Sequence, residues 1–186
     1  MQTDFKIRIE NIVASAFINV VIPLEKIVSK LEGMEYEPEQ FPGLVYRMKE
    51  PKAAALIFGS GKIVCTGARS TKDVKIVFGK VVKVVESVKV KVPKTYSTKI
   101  ENIVASAKLD AKLNLDAIAF KLENSEYEPE QFPGLVYRMA SPKVAFLLFG
   151  SGKVVCTGGR SISDVRIAVD LLSKRLHKLK GALKKE

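Results

Sequence analysis

Apolar residues change their spacing several times along the first 90 residues, and each change marks an element. KIRIENIVAS (6–15) is rich in β-branched residues and reads as a strand. PLEKIVSKLEG (23–33) puts proline at a helix start, Leu24, Ile27, Val28 and Leu31 at helical spacing, and Gly33 at the stop. Three apolar runs follow, GLVYRM, AAALIFG and KIVCTG, separated by EPKA and by a GSG that reads as a tight hairpin. TKDVKIVFGKVVKVVESV (71–88) is valine-rich and fits either a helix or a long strand. The pattern then starts again. ENIVASA opens at Glu10 and Glu101, EYEPEQFPGLVYRM at Glu35 and Glu126, FGSGK at Phe58 and Phe149, and CTG at Cys65 and Cys156, always 91 residues apart. Aligned without a gap, residues 5–76 and 96–167 share 45 identical positions of 72. The second copy resolves the ambiguity of the first, because SDVRIAVDLLSKRLHKLKGALK (163–184) has plain helical spacing, and NLDAIAFKLEN opens on Asn114, a good helix N-cap, and ends at Asn124.

The unit is therefore strand, helix, several antiparallel strands, helix, and it occurs twice, in residues 1–92 and 93–186. Two copies are too few for a solenoid. A pseudo-twofold pair, each copy supplying half of one surface, is the expected alternative. The fold class is α+β, with two helices on one face of each sheet. Strand alternation then makes a prediction about the other face. If Ile12, Ala14, Ala55, Ile57, Ile63 and Cys65 lie under the helices, Asn11, Val13, Ala54, Leu56, Phe58, Val64 and Thr66 point away from them, with Asn102, Val104, Ala145, Leu147, Phe149, Val155 and Thr157 as their counterparts. A sheet face open to water is ordinarily polar. This one is apolar, with a few amide and hydroxyl groups, and so marks either a binding surface or a face covered by a second copy. Its expected rim is basic: Arg47, Lys62 and Arg69, and Arg138, Lys153 and Arg160.

Charge sharpens the choice of partner. The 186 residues carry a net charge of +11, divided as +5 in residues 1–91 and +6 in the remainder. Such a field favours polyanions. No apolar run approaches the ~20 residues of a membrane span, and no leader-like segment opens the chain, so a soluble intracellular protein is expected. Cys65 and Cys156 sit in matching apolar strands and read as reduced core residues. GSGK lacks the spacing and the hydroxyl residue of a phosphate loop, since Ile63 and Val154 follow the lysines. The lone histidine, His177, belongs to no catalytic set and reads as a surface residue. Glu35, Glu37 and Glu39, with Glu126, Glu128 and Glu130, suit an exposed partner-facing loop better than a cation site. No enzyme, metal or cofactor is expected.

ENIVAS, EYEPEQFPGLVYRM, LIFGSGK and CTGARS in the first copy, with their counterparts in the second, resemble the TATA-box-binding protein family over nearly the whole chain, from Phe5 to about Leu179. The EPEQFPG form in both copies is similar to archaeal members. The basic balance, with Lys178, Lys180, Lys184 and Lys185 near the C-terminus, departs from the acidic character common among them. The resemblance implies a saddle-shaped sheet on the minor groove of A·T-rich promoter DNA. Phe41 with Phe58, and Phe132 with Phe149, would be wedge pairs; Asn11 and Asn102 would donate hydrogen bonds near the centre, beside Thr66 and Thr157. Val13, Leu56 and Val64, with Val104, Leu147 and Val155, would make flat apolar contacts, and Arg47, Lys62, Arg138 and Lys153 would hold phosphates. Glu128 and Glu130 would dock transcription factor B, leading to RNA polymerase in a pre-initiation complex. The location implied is the archaeal cytoplasm, at the nucleoid, or a eukaryotic nucleus. The residues alone leave a second class open, an interaction module whose apolar face takes protein or an apolar ligand.

Overall fold

The computed structural model describes residues 5–184, so Lys185 lies outside the described residues. The first copy folds as β1 (Arg8–Phe17), α1 (Leu24–Lys30), β2 (Met34–Glu35), β3 (Gly43–Met48), β4 (Ala53–Phe58), β5 (Lys62–Ala68) and α2 (Thr71–Ser87). The second follows as β6 (Ser97–Lys108), α3 (Leu115–Lys121), β7 (Ser125–Glu126), β8 (Leu135–Met139), β9 (Val144–Leu148), β10 (Lys153–Gly159) and α4 (Ile162–Lys178). Two compact units result. One takes Asn11–Glu101; the other takes Asn102 onward together with the residues up to Glu10. In the first unit the strands lie in the order β2-β3-β4-β5-β1, and in the second β6-β10-β9-β8-β7, each pairing antiparallel.

Local chemistry accounts for the helix starts. Ser70 and Ser161 cap α2 and α4, their side chains accepting from the N–H groups of Asp73 at 3.0 Å and Asp164 at 2.9 Å, while the acidic residue complements the helix dipole. Asn114 does the same for α3, accepting from Ala117 at 3.2 Å. The segment 71–88 is a helix, as its counterpart implies, burying Val74, Val77, Phe78, Val81 and Val85 on one stripe. Against those stripes lie Ile12, Ala14, Ala55, Ile57, Ile63 and Cys65, all at most 1% exposed, which fixes the helix side of the sheet.

Three helix ends differ from the sequence reading, one of them that of α3, which stops at Lys121 rather than Asn124. Helix α1 ends at Lys30, with Gly33 (φ +78°) turning the chain into β2 rather than closing the helix. The helical pattern of 163–184 is cut short at Lys178, and the chain doubles back through Gly181 (φ +85°). Leu183 then bridges Leu113, the N–H of Asn114 donates to the Ala182 carbonyl at 2.8 Å, and Ala182 is fully buried. Tertiary burial outweighs helix propensity here. The short strands β2 and β7, two residues each, carry too little pattern to be seen in sequence.

Candidate nucleic-acid interface

Alternation holds strand by strand on the face away from the helices. Asn11, Val13, Ala54, Leu56, Phe58, Val64 and Thr66 are all half-buried, each next to at least one buried residue of the helix side, and so are their seven counterparts in the second unit. Register makes them continuous: Val45, Leu56, Val64 and Ser15 form one cross-strand row, and Val136, Leu147, Val155 and Ser106 form the corresponding one. Val45 and Val136 were not among the expected contact residues. Continuing the alternation through GLVYRM from buried Leu44 would have found them.

The phenylalanine pairs come together as expected. The Phe41 and Phe58 rings meet edge to face at 5.7 Å, and Phe132 and Phe149 at 6.0 Å. Phe41 and Phe132 are 37% and 40% exposed, whereas their partners are half-buried, so the outer ring of each pair rides on the inner one. A residue unremarked in the sequence makes the seat. A Cβ at Gly43 would lie 2.7 Å from the Phe41 ring and 3.0 Å from that of Phe58, and at Gly134 2.6 and 3.1 Å from Phe132 and Phe149. Only a bare α-carbon leaves room for the pair. The loop leading in is a formed turn: the Glu37 carbonyl accepts from the N–H groups of Gln40 and Phe41, and the Glu128 carbonyl from Gln131 and Phe132, all at 2.9 Å.

Each sheet also holds one oriented amide. Asn11 Oδ1 accepts from the N–H of Gly67, and Asn102 Oδ1 from that of Gly158, both at 2.7 Å. The pairing of β1 with β5 and of β10 with β6 slips beside these glycines, which sit at φ +88° and +102°. Such a bulge frees an N–H that would otherwise serve the ladder. Pinning the oxygen leaves Nδ2 as the outward group, a donor; in Asn102 it also reaches Thr157 Oγ1 at 3.2 Å. On the same face Ser15 donates to Glu101 at 2.7 Å in one unit, and Ser106 to Glu10 at 2.6 Å in the other.

The basic rim is exposed but partly engaged. Arg47 pairs with Glu35 at 3.2 Å and Arg138 with Glu126 at 4.0 Å, contacts that at this exposure contribute little and yield readily to a stronger anion. Lys62 and Lys153 project from the first residues of β5 and β10. Glu128 and Glu130 are exposed in the loop before β8. Away from the face, His177 is exposed with Nδ1 against the Ser173 carbonyl at 2.8 Å, and both cysteines are buried and free. Burial pushes the thiols up, to about 11 for Cys65 and about 12 for Cys156, so they stay protonated and unreactive at neutral pH. Among the described residues no helix is long and apolar enough to cross a membrane.

In sum of chemistry, each sheet presents apolar rows, one aimed amide donor, a hydroxyl beside it, an aromatic pair at one end and cations around the edge. The family described as "Transcription factor TFIID (or TATA-binding protein, TBP)" matches residues 6–88 and again 97–179. The TATA-box-binding protein of Methanobrevibacter smithii is 54% identical over 177 residues, covering 95% of this chain and 98% of its own. That of Archaeoglobus fulgidus is 53% identical over 178 residues, covering 95% and 97%. The solved structure of Methanococcus jannaschii TBP superposes with a TM-score of 0.85 at 49% identity, over 90% of this chain and 96% of that one. By family match, by identity and by fold, the chain belongs to the TATA-binding protein family.

Proposed function

We propose that this chain is a general transcription initiation factor that lays its apolar sheet face on the minor groove of A·T-rich promoter DNA and bends it, then recruits transcription factor B and RNA polymerase. The observation that carries the reading is the coexistence, in each sheet, of a half-buried apolar row with one amide whose oxygen is tied to the backbone, leaving Nδ2 as the donor. In the minor groove A·T and T·A pairs offer only the acceptors A N3 and T O2, which suit such donors. A G·C pair adds the G N2 amine. Against valine and leucine that donor finds no acceptor, and burying it unpaired costs about 1–3 kcal/mol. The Phe41–Phe58 and Phe132–Phe149 pairs suit wedging between base steps, which unstacks them, and pyrimidine–purine steps resist this least. Arg47, Lys62, Arg138 and Lys153 hold phosphates, which position the duplex without reading it.

The test is binding to an A·T-rich duplex and to the same duplex with G·C at its central steps, across a salt series. The expected results are a loss of about tenfold or more per substituted step and a steep fall in affinity with salt. Equal binding to both duplexes, or affinity indifferent to salt, would overturn the reading and favour a face that takes protein or an apolar ligand.

A further inference from the structure

The contact rows of the two sheets end differently. In the first unit the final pair is Phe17 opposite Lys62; in the second it is Lys108 opposite Lys153. Residues two apart on a strand share a face, so Lys108 and Lys153 lie on the same side as Ser106, Val155, Val104 and Thr157. Like charges directly opposite one another in a ladder are destabilising. A third and a fourth cation lie nearby: the Phe5 carbonyl accepts from the N–H of Lys108 at 3.3 Å, which lays the chain entering β1 alongside, and Lys6 and Arg8 line a cleft of about 530 Å³ with Ser106, Lys108, Ser151 and Lys153. Lys108 Nζ donates to the Ser151 carbonyl, which holds the ammonium at the mouth of the GSG turn. The first unit has Ser97, Lys99 and Phe17 where the second unit has Lys6, Arg8 and Lys108.

We infer that this cleft is an anion site, taking a phosphate of the duplex backbone at the edge of the face where β6 ends against the start of β10. Four cations around one opening, with the Ser151 hydroxyl beside them, form a cradle suited to a phosphate, the Ser106 hydroxyl being committed to Glu10, and an anion between Lys108 and Lys153 relieves their repulsion. The location extends the phosphate set of the preceding section by one contact and rests on that reading of the face. The second repeat thus grips the DNA backbone more strongly than the first, although both carry the same apolar contacts.

Two arms separate this inference from the reading it rests on. Without DNA, replacing chloride by inorganic phosphate at equal ionic strength should raise the melting temperature of the wild-type protein measurably more than that of Lys108→Phe or Lys108→Gln. With DNA, the wild-type protein is first checked for A·T over G·C discrimination, and its log–log salt slope is then compared with the variants. Lys108→Phe, which installs the residue of the first copy, should make the slope shallower by about 0.9, one phosphate contact. Phe17→Lys should make it steeper by a similar amount. A wild-type protein that discriminates the duplexes but whose slope is unmoved by either exchange would overturn the cleft and leave the functional reading standing. Phosphate that stabilises wild type and variants equally shows an adventitious ion only and also overturns it.

Discussion

At the residue scale, the face depends on atoms held in place as much as on residue type. Asn11→Asp keeps an oxygen for the Gly67 N–H but turns the outward donor into a carboxylate oxygen facing the groove acceptors. The melting temperature should change little, while affinity for the A·T duplex should fall at least tenfold; titration of Asn11→Asp and Asn102→Asp alongside thermal melts checks both. Gly43→Ala places a methyl group against two rings, and because φ at Gly43 is not in the left-handed region the backbone tolerates it. The expected outcome is reduced DNA bending with near-normal melting, read by bending assays on Gly43→Ala and Gly134→Ala; unchanged bending would show that the ring pair does not need its seat. The phenylalanines were legible because their motif names them. The glycines were not, because what they contribute is an absent atom whose value appears only when the rings stand over it. The cysteines give a pH prediction. Their thiols titrate near 11 and 12 in the fold against 9.0 when free, so the native state holds its protons more tightly. Stability from this source is fully present below pH ~9 and declines as pH rises through 11–12. Urea melts at pH 8 and pH 10.5 should show the loss, and Cys65→Ala/Cys156→Ala should remove that part of the slope.

At the element scale, periodicity located nearly every helix and long strand, because each buries one stripe or one face and its neighbours in sequence record it. It failed where contacts from elsewhere decide the outcome. The residues after Lys178 have helical spacing, yet Ala182 is fully buried and Leu183 bridges Leu113, so this segment serves as a strap on the loop leading into α3. The N–H of Lys184 donates to the Lys112 carbonyl at 3.0 Å, and Lys121 reaches the Lys180 carbonyl at 2.7 Å. Ala182→Asp would bury a carboxylate without a partner and should lower stability by a few kcal/mol. Hydrogen exchange should show the loss first in α3, whose N-cap residue donates its backbone N–H to Ala182; protection of α3 equal to wild type would argue against the strap. The cores also differ between copies. Phe146 stacks on Tyr137, whose hydroxyl accepts from Arg175, where the first copy has Ala55, Tyr46 and Val84. Substitutions thus occur under the helices, while the opposite face is the same in both copies apart from Phe17, which is Lys108 in the second.

At the scale of the whole molecule, that sameness limits what the protein can do alone. Asn11, Val13, Ser15, Phe41, Pro42, Ala54, Leu56, Phe58, Lys62, Val64 and Thr66 all have identical counterparts 91 positions on. Two units with the same proposed contact residues offer nearly equal base-edge contacts to an asymmetric A·T element in either orientation. The phosphate cleft at Lys108 does not alter this, because phosphates carry no sequence and are met in either orientation. Tenfold preference requires about 1.4 kcal/mol of difference, and DNA contacts alone should supply less. Promoter direction then has to come from a partner that distinguishes one end, and the loop of Glu128 and Glu130 is the proposed dock for transcription factor B. Its sequence is repeated at Glu37 and Glu39, so the distinction must draw on residues that differ between the copies, such as Phe120, 88% exposed on α3 where the first copy has Ser29. A DNA-cleaving probe attached to one loop should cut on both sides of an asymmetric element and collapse to one side when the partner is added. Glu128→Lys/Glu130→Lys should bind DNA as tightly as wild type or slightly more, yet keep the two-sided pattern in the partner's presence. Strong one-sided cutting by the protein alone would sink the argument from symmetry, and a double variant that still collapses to one side would move the dock elsewhere.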